Sequence, residues 1–164
     1  MLCRGKSAIT LVDTRWRYAH IKSTSLLPSV LLYDQVRGAD CDEGILIRDG
    51  YAIEGVSSNI FVVSKNKIFT PPLSRENLSG VTRDIVLRLL GQNQISFSTK
   101  KISRKALGNA DEIWITSSTR GIFPIIKLDN KKVGNGKPGV MWKRVAKLYF
   151  DYRKNLQRKS LISR

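Results

Sequence analysis

Residues 44–63 read Gly44-Ile45-Leu46-Ile47-Arg48-Asp49-Gly50-Tyr51-Ala52-Ile53-Glu54-Gly55-Val56-Ser57-Ser58-Asn59-Ile60-Phe61-Val62-Val63. Short apolar runs rich in β-branched and aromatic residues, interrupted by Asp49-Gly50, are the signature of a strand, a two-residue hairpin turn and a returning strand. The run Ile60 to Val63 supplies a further strand, and Lys65-Asn66-Lys67 is a second turn that sends the chain back through Ile68 and Phe69. The centre of the chain is therefore expected to be a run of short strands joined by turns.

Working outward, Ser7 to Val12 reads as a strand close to the first residue. Leu26 to Arg37 reads as a helix, with Pro28 near its start and Gly38 as its stop. Gly80-Val81-Thr82-Arg83 opens a second helix over Asp84 to Leu90, ended near Gly91. Ile95 to Ile102 is expected to be one strand, Arg104 to Leu107 a short helix, and Glu112 to Thr116 a strand centred on Trp114. Pro124 to Leu128 and Lys132 to Val133 are expected strands flanking a turn at Asn130-Lys131. The last helix, Val140 to Lys159, carries Val140, Trp142, Val145, Leu148, Tyr149, Tyr152 and Leu156 on one apolar stripe, read as core. This mixture is α+β in class.

Composition narrows the function classes. A chain of 164 residues with 41% hydrophobic residues is long and apolar enough to bury a core, so disorder is not expected. No apolar run approaches the roughly 20 residues needed to span a bilayer. Met1 to Lys6 holds no apolar stretch of signal-peptide length, which makes the cytoplasm the expected compartment. The two cysteines, Cys3 and Cys41, fit no metal or redox spacing, and no metal site is expected. The formal net charge of +16 on its face suggests a polyanionic partner. Its basic residues are spread along the chain, denser from Lys143 to Arg164, without a zinc-finger spacing or a ribonucleoprotein aromatic motif; nucleic acid is not the expected partner.

Pattern alone leaves an α+β domain without a nameable activity. Four motifs in fixed order change that. They are His20-Ile21-Lys22-Ser23-Thr24-Ser25-Leu26-Leu27-Pro28, Glu54-Gly55-Val56-Ser57-Ser58-Asn59, Leu78-Ser79-Gly80-Val81-Thr82-Arg83 and Thr116-Ser117-Ser118-Thr119. Together they resemble the class-IV aminotransferases, and most of all the D-amino acid aminotransferase group. The likeness extends to Gly134-Asn135-Gly136-Lys137-Pro138-Gly139.

The resemblance implies the large C-terminal domain of the fold type IV enzymes, a mixed-sheet pseudo-barrel with flanking helices, and pyridoxal 5′-phosphate as cofactor. Residues 1–164 are expected to form that cofactor-binding domain, with the family's smaller N-terminal domain absent. Lys22 is implied as the Schiff-base lysine and general base, a role suited to a desolvated amine. Glu54 is implied as the carboxylate facing the pyridine nitrogen. Val81 and Thr82 are implied in a phosphate turn at a helix N-terminus, whose free N–H groups and dipole favour an anion. Thr82 could also simply cap that helix.

Ser117 and Ser118 would add hydroxyl donors, Leu78 would pack on the ring face, and Arg15 would lie near the cofactor. His20, the only histidine, is given no role by the likeness and is read as structural. The implied reaction moves an amino group between an amino acid, such as D-alanine, and a 2-oxo acid, in a homodimer. The alternatives are a non-catalytic cofactor-binding remnant, a branched-chain aminotransferase, an aminodeoxychorismate lyase and, from a different class, a basic nucleic-acid-binding module.

Overall fold

The structure, a computed structural model, describes residues 4–162. Cys3 lies outside the described residues, as do Met1 and the last two positions. In chain order the elements are β1 (Lys6–Val12), α1 (Leu27–Gly38), β2 (Glu43–Arg48), β3 (Tyr51–Gly55), β4 (Asn59–Ser64), β5 (Lys67–Thr70), α2 (Val81–Gln92), β6 (Phe97–Thr99), β7 (Ile102–Ser103), α3 (Arg104–Gly108), β8 (Glu112–Ser117), β9 (Gly121–Leu128), β10 (Lys131–Lys132) and α4 (Val140–Ile162). The strands form a single mixed sheet in the order β6-β5-β4-β8-β9-β1-β2-β3-β7, with β10 added on β9.

The turns follow from backbone chemistry. Asp49 and Gly50 adopt φ of 50° and 80°, Lys65 and Asn66 adopt 50° and 60°, the left-handed pair that lets a two-residue hairpin match strand twist. β2 pairs antiparallel with β3, and β4 with both β5 and β8. β1 runs parallel to β2, with α1 as the crossover, and also parallel to β9.

Both faces of the sheet are covered, so successive residues of one strand enter different cores. On β4, Ile60 and Val62 join Ala8, Ile45, Ala52, Ile113, Ile115 and Ile125 inside the curve of the sheet. Phe61 and Val63 face the other way, into a core with Trp114, Ile122, Val86 and Leu90, closed by Trp142, Val145 and Tyr149 of α4. A third, smaller core seats Leu32 and Val36 of α1 on Leu46 and Val56. The result is the expected α+β pseudo-barrel with flanking helices.

Three sequence expectations need correction. Ile95 to Ile102 is not one strand: β6 pairs with β5 and β7 pairs with β3, at opposite ends of the strand order. Lys100 and Lys101 separate them, and the change of partner is set by tertiary closure rather than by any local breaker. The turn after β9 uses Asp129 and Asn130, with φ of 47° and 63°, which moves the last strand to Lys131–Lys132. On α4, Val140 is 82% exposed and Leu156 48%, so the buried stripe runs from Trp142 to Tyr149 and fades beyond it.

Candidate active site

A cavity of about 480 Å³ opens where β3 and β8 end and β4 and α2 begin. It is lined by Arg15, Lys22, Glu54, Leu78, Thr82, Ser117 and Ser118, seven of the eight residues singled out from the sequence. Val81, the eighth, does not line it; its side chain is exposed on the first turn of α2. Lys22 sits in the connection between β1 and α1 and is exposed, with no hydrogen bond or ion pair among the described residues.

Glu54 is buried at the end of β3. Its Oε1 accepts from Arg15 Nη1 at 2.7 Å, and its Oε2 from Asn59 Nδ2 at 3.2 Å and the Leu78 N–H at 3.1 Å. Burial pushes this carboxyl up to about 7, against the pull of Arg15 and the Leu78 N–H. Burial also acts to lower Arg15, but the Asp13 and Glu54 carboxylates outweigh it and the guanidinium is raised. Arg15 is a fixed cation.

Behind Arg15 lies an ion-pair network that the sequence did not reveal. Asp13, its side chain fully buried, accepts from Arg15 Nε at 2.9 Å and Nη2 at 3.0 Å; its Oδ2 pairs with Arg48 Nη2 at 3.2 Å, and that Nη2 donates to the Asp13 carbonyl at 3.3 Å. Arg48 continues to the Arg15 carbonyl at 2.7 Å and to Glu76 Oε1 at 3.1 Å. Asp13 was visible as the near neighbour of Arg15. Arg48, the last residue of an otherwise largely apolar strand, carried no signal except that a buried charge there needs a partner.

The 71–80 loop is shaped by Asn77, whose Oδ1 accepts from the Ser74 N–H at 2.9 Å and whose Nδ2 donates to the Pro72 carbonyl at 2.9 Å. Arg83 Nη2 ties the same loop to α2 through the Pro71 carbonyl at 3.1 Å. The loop delivers Leu78 to the cavity and Gly80 to the start of α2.

The N-cap is Gly80, not Thr82, and no side chain caps the helix. The first-turn N–H groups are left for another acceptor, beside the buried Thr82. Gly80 is needed for space: a Cβ there would lie 2.0 Å from Asn59 Oδ1. Asn59 in turn donates to Glu54 and to the Leu78 carbonyl at 2.8 Å, so one amide joins the carboxylate wall to the helix start.

His20 takes no part in this cavity. Its Nδ1 lies 3.0 Å from the Arg75 carbonyl and its backbone N–H donates to the same oxygen, a loop contact in keeping with a structural role. Among the described residues no cluster of His, Cys, Asp and Glu could hold a metal ion, and no helix is long and apolar enough to cross a membrane.

The comparisons with known proteins agree with this geometry. Residues 4–128 match the model of the amino-transferase class IV family. The chain is 41% identical over 141 residues to D-alanine aminotransferase of Bacillus licheniformis, covering 86% of this chain and 50% of that protein. It is 31% identical over 142 residues to a probable branched-chain-amino-acid aminotransferase of Aquifex aeolicus, covering 85% and 44%.

Among solved structures, a branched-chain amino acid aminotransferase complexed with N-(5′-phosphopyridoxyl)-L-glutamate superposes with a TM-score of 0.82 at 26% identity, covering 90% of this chain and 51% of that one. The branched-chain amino acid aminotransferase from Escherichia coli gives 0.76 at 28% identity, covering 89% and 52%. The chain thus spans about half the length of the relatives it matches. On the family model and the fold together, the chain belongs to the class IV aminotransferases.

Proposed function

We propose that this chain is the cofactor-binding domain of a pyridoxal-phosphate-dependent aminotransferase, with Lys22 as the covalent anchor. The observation that carries the reading is the convergence of an anion-ready helix start, a buried carboxylate and a lysine on one cavity. The residues present fit the cofactor. The uncapped start of α2, with Thr82, Ser117 and Ser118, suits a phosphate. Leu78 offers an apolar contact for the ring, and Glu54 a carboxylate for its nitrogen. When bound, pyridoxal phosphate supplies the carbonyl that carries the amino group and a ring that withdraws electrons.

The chain's own residues then have distinct tasks. Lys22 Nζ would hold the cofactor covalently, and the same amine would serve as the base that moves the proton at the substrate alpha carbon. Glu54 would face the ring nitrogen and favour a positive charge there, and Arg15, fixed by Asp13, holds the Glu54 side chain in place. Thr82, Ser117 and Ser118 would hold the phosphate end, in the same cavity that Lys22 lines.

The preferred donor in this reading is a D-amino acid such as D-alanine, with a 2-oxo acid as acceptor; the 41% identity to a D-alanine aminotransferase and the Ile21-Lys22-Ser23 context support it. The likeness to branched-chain enzymes supports a second reading with branched-chain amino acids. A homodimer in the cytoplasm belongs to the same proposal. The exposure of Lys22 favours one further alternative, a remnant that binds the cofactor without turnover.

Mixing the full chain with pyridoxal phosphate tests the reading. A visible absorption band, fixed by borohydride and lost in Lys22→Ala, is expected; no band in the wild-type chain would overturn it. Incubation with D-alanine or L-leucine and 2-oxoglutarate then separates the two donors, and a band without turnover on either identifies the remnant.

A further inference from the structure

A second buried carboxylate stands beside the cavity and shares no hydrogen bond with the Glu54 network. Glu43, at the start of β2, is fully buried. Its Oε2 accepts from Arg120 Nη2 at 2.7 Å and from Ser58 Oγ at 3.1 Å, and its Oε1 accepts from the Gly44 N–H at 3.1 Å. Arg120 is the cation paired with it. A buried carboxylate is tolerated only when its charge is compensated, so this pair is held firmly or not at all.

The two side-chain donors to Glu43 come from two different turns beside the cavity, which meet where Asn59 of β4 pairs with Thr116 of β8. Ser58 belongs to the turn between β3 and β4 and lines the cavity. Arg120 belongs to the turn between β8 and β9, immediately after Ser117, Ser118 and Thr119, all three of which line it too. The Arg120 N–H donates to Ser117 Oγ at 3.2 Å. The next residue, Gly121, has φ of +76° and sits against Tyr149, where a Cβ would lie 3.3 Å from the ring. The 117–121 turn is therefore fixed by its backbone on one side and by the arginine on the other.

We propose that Arg120 is a positioning residue: through Glu43 it sets the spacing between the Ser58 wall and the 117–119 hydroxyls, and so the phosphate end of the cavity. This rests on the reading that the cavity takes a phosphate-bearing cofactor. Arg120 reaches Glu43 rather than the cavity, and its effect passes through the serines it holds. A planar guanidinium aimed at one carboxylate oxygen fixes direction as well as distance, which a lysine ammonium does less well.

The test uses the full chain and compares pyridoxal phosphate with pyridoxal, which lacks the phosphate. Absorbance titrations are run on the wild type, Arg120→Ala, Arg120→Lys and the double variant Glu43→Gln/Arg120→Ala. The expected result is a loss of about tenfold or more in affinity for pyridoxal phosphate in Arg120→Ala, with pyridoxal affinity kept within about twofold, since misplacing a binding group by about 1 Å is enough for losses of this size. Arg120→Lys recovers part of the loss. The double variant removes the uncompensated charge and returns the urea midpoint to the wild-type value, yet stays weak for pyridoxal phosphate. Amide hydrogen exchange at residues 117–121 becomes faster in both alanine variants.

Equal affinity of Arg120→Ala and wild type for pyridoxal phosphate overturns the proposal. So do equal losses for both ligands, or full recovery of phosphate-specific affinity in the double variant, each of which marks a purely structural pair. If the wild type forms no band with either ligand, the Lys22 reading has failed, and inorganic phosphate becomes the probe. Phosphate-dependent amide shifts at residues 117–121 that vanish in Arg120→Ala then support the positioning role, and no shift in the wild type overturns it.

Discussion

Replacing Glu54 by glutamine keeps the side-chain volume but removes a titration that the fold has displaced. In the folded chain burial holds the Glu54 carboxyl at about 7, above its ordinary value of 4.5. The folded state therefore keeps the proton through a range where the unfolded chain has released it. The stabilising contribution is fully present below pH 4.5 and is lost as pH rises through 7. Moving one group from 4.5 to about 7 corresponds to about 3 kcal/mol.

Urea unfolding of the wild type and Glu54→Gln at half-unit steps from pH 4.5 to 8 reads this directly. All other groups titrate in both proteins and cancel in the difference. The wild type is expected to lose about 3 kcal/mol relative to Glu54→Gln across that range, most of it between pH 5 and 7. The absolute stability of the glutamine variant does not matter, because its amide also faces Arg15 with a changed hydrogen-bond pattern. A difference that stays constant with pH would refute the reasoning, since it would mean that Arg15, Asn59 and the Leu78 N–H fully offset the burial of the carboxylate. A difference of opposite slope would mean that they over-compensate it.

Two further variants probe what supports Glu54. Asp13→Asn leaves Arg15 and Arg48 without the buried charge they share, and is expected to lower stability by about 3–5 kcal/mol in a thermal or urea melt, the range for breaking one partner of a buried pair. Gly80→Ala introduces a Cβ 2.0 Å from Asn59 Oδ1; it is expected to cost about 1–3 kcal/mol and to weaken pyridoxal phosphate by displacing the amide that joins Glu54 to Leu78.

The hairpin turns, the central strands and the helices were readable because each depends on local chemistry. Asp49-Gly50 and Lys65-Asn66 are residues that accept positive φ between apolar runs, and the positions of Ile60 to Val63 were set by the two-sided burial of β4. The split between β6 and β7 was not readable, because Lys100 and Lys101 have nothing in their own chemistry that selects a new partner strand. The site divides in the same way. Lys22, Glu54, Leu78, Thr82 and the 117–118 serines were found through motifs in order, and the structure brings them to one cavity. Asp13, Arg48, Glu43 and Arg120 were not assigned roles, because a charged residue in a sequence reads by default as a solvated one, and only the fold shows which charges are buried against each other.

The break at Lys100 and Lys101 has a mechanical meaning. β6 and β7 occupy the two ends of the sheet order, yet only two residues join them. Three extended steps from Thr99 to Ile102 reach at most about 11 Å, so the outer margins of the sheet are laced together like the seam of a tube. The two end strands do not pair with each other, but a sheet tied at this point is restrained from splaying there. Among the cavity residues that lie outside this tied sheet are those of two connecting segments, residues 13–26 and 71–80, the first of which bears Lys22.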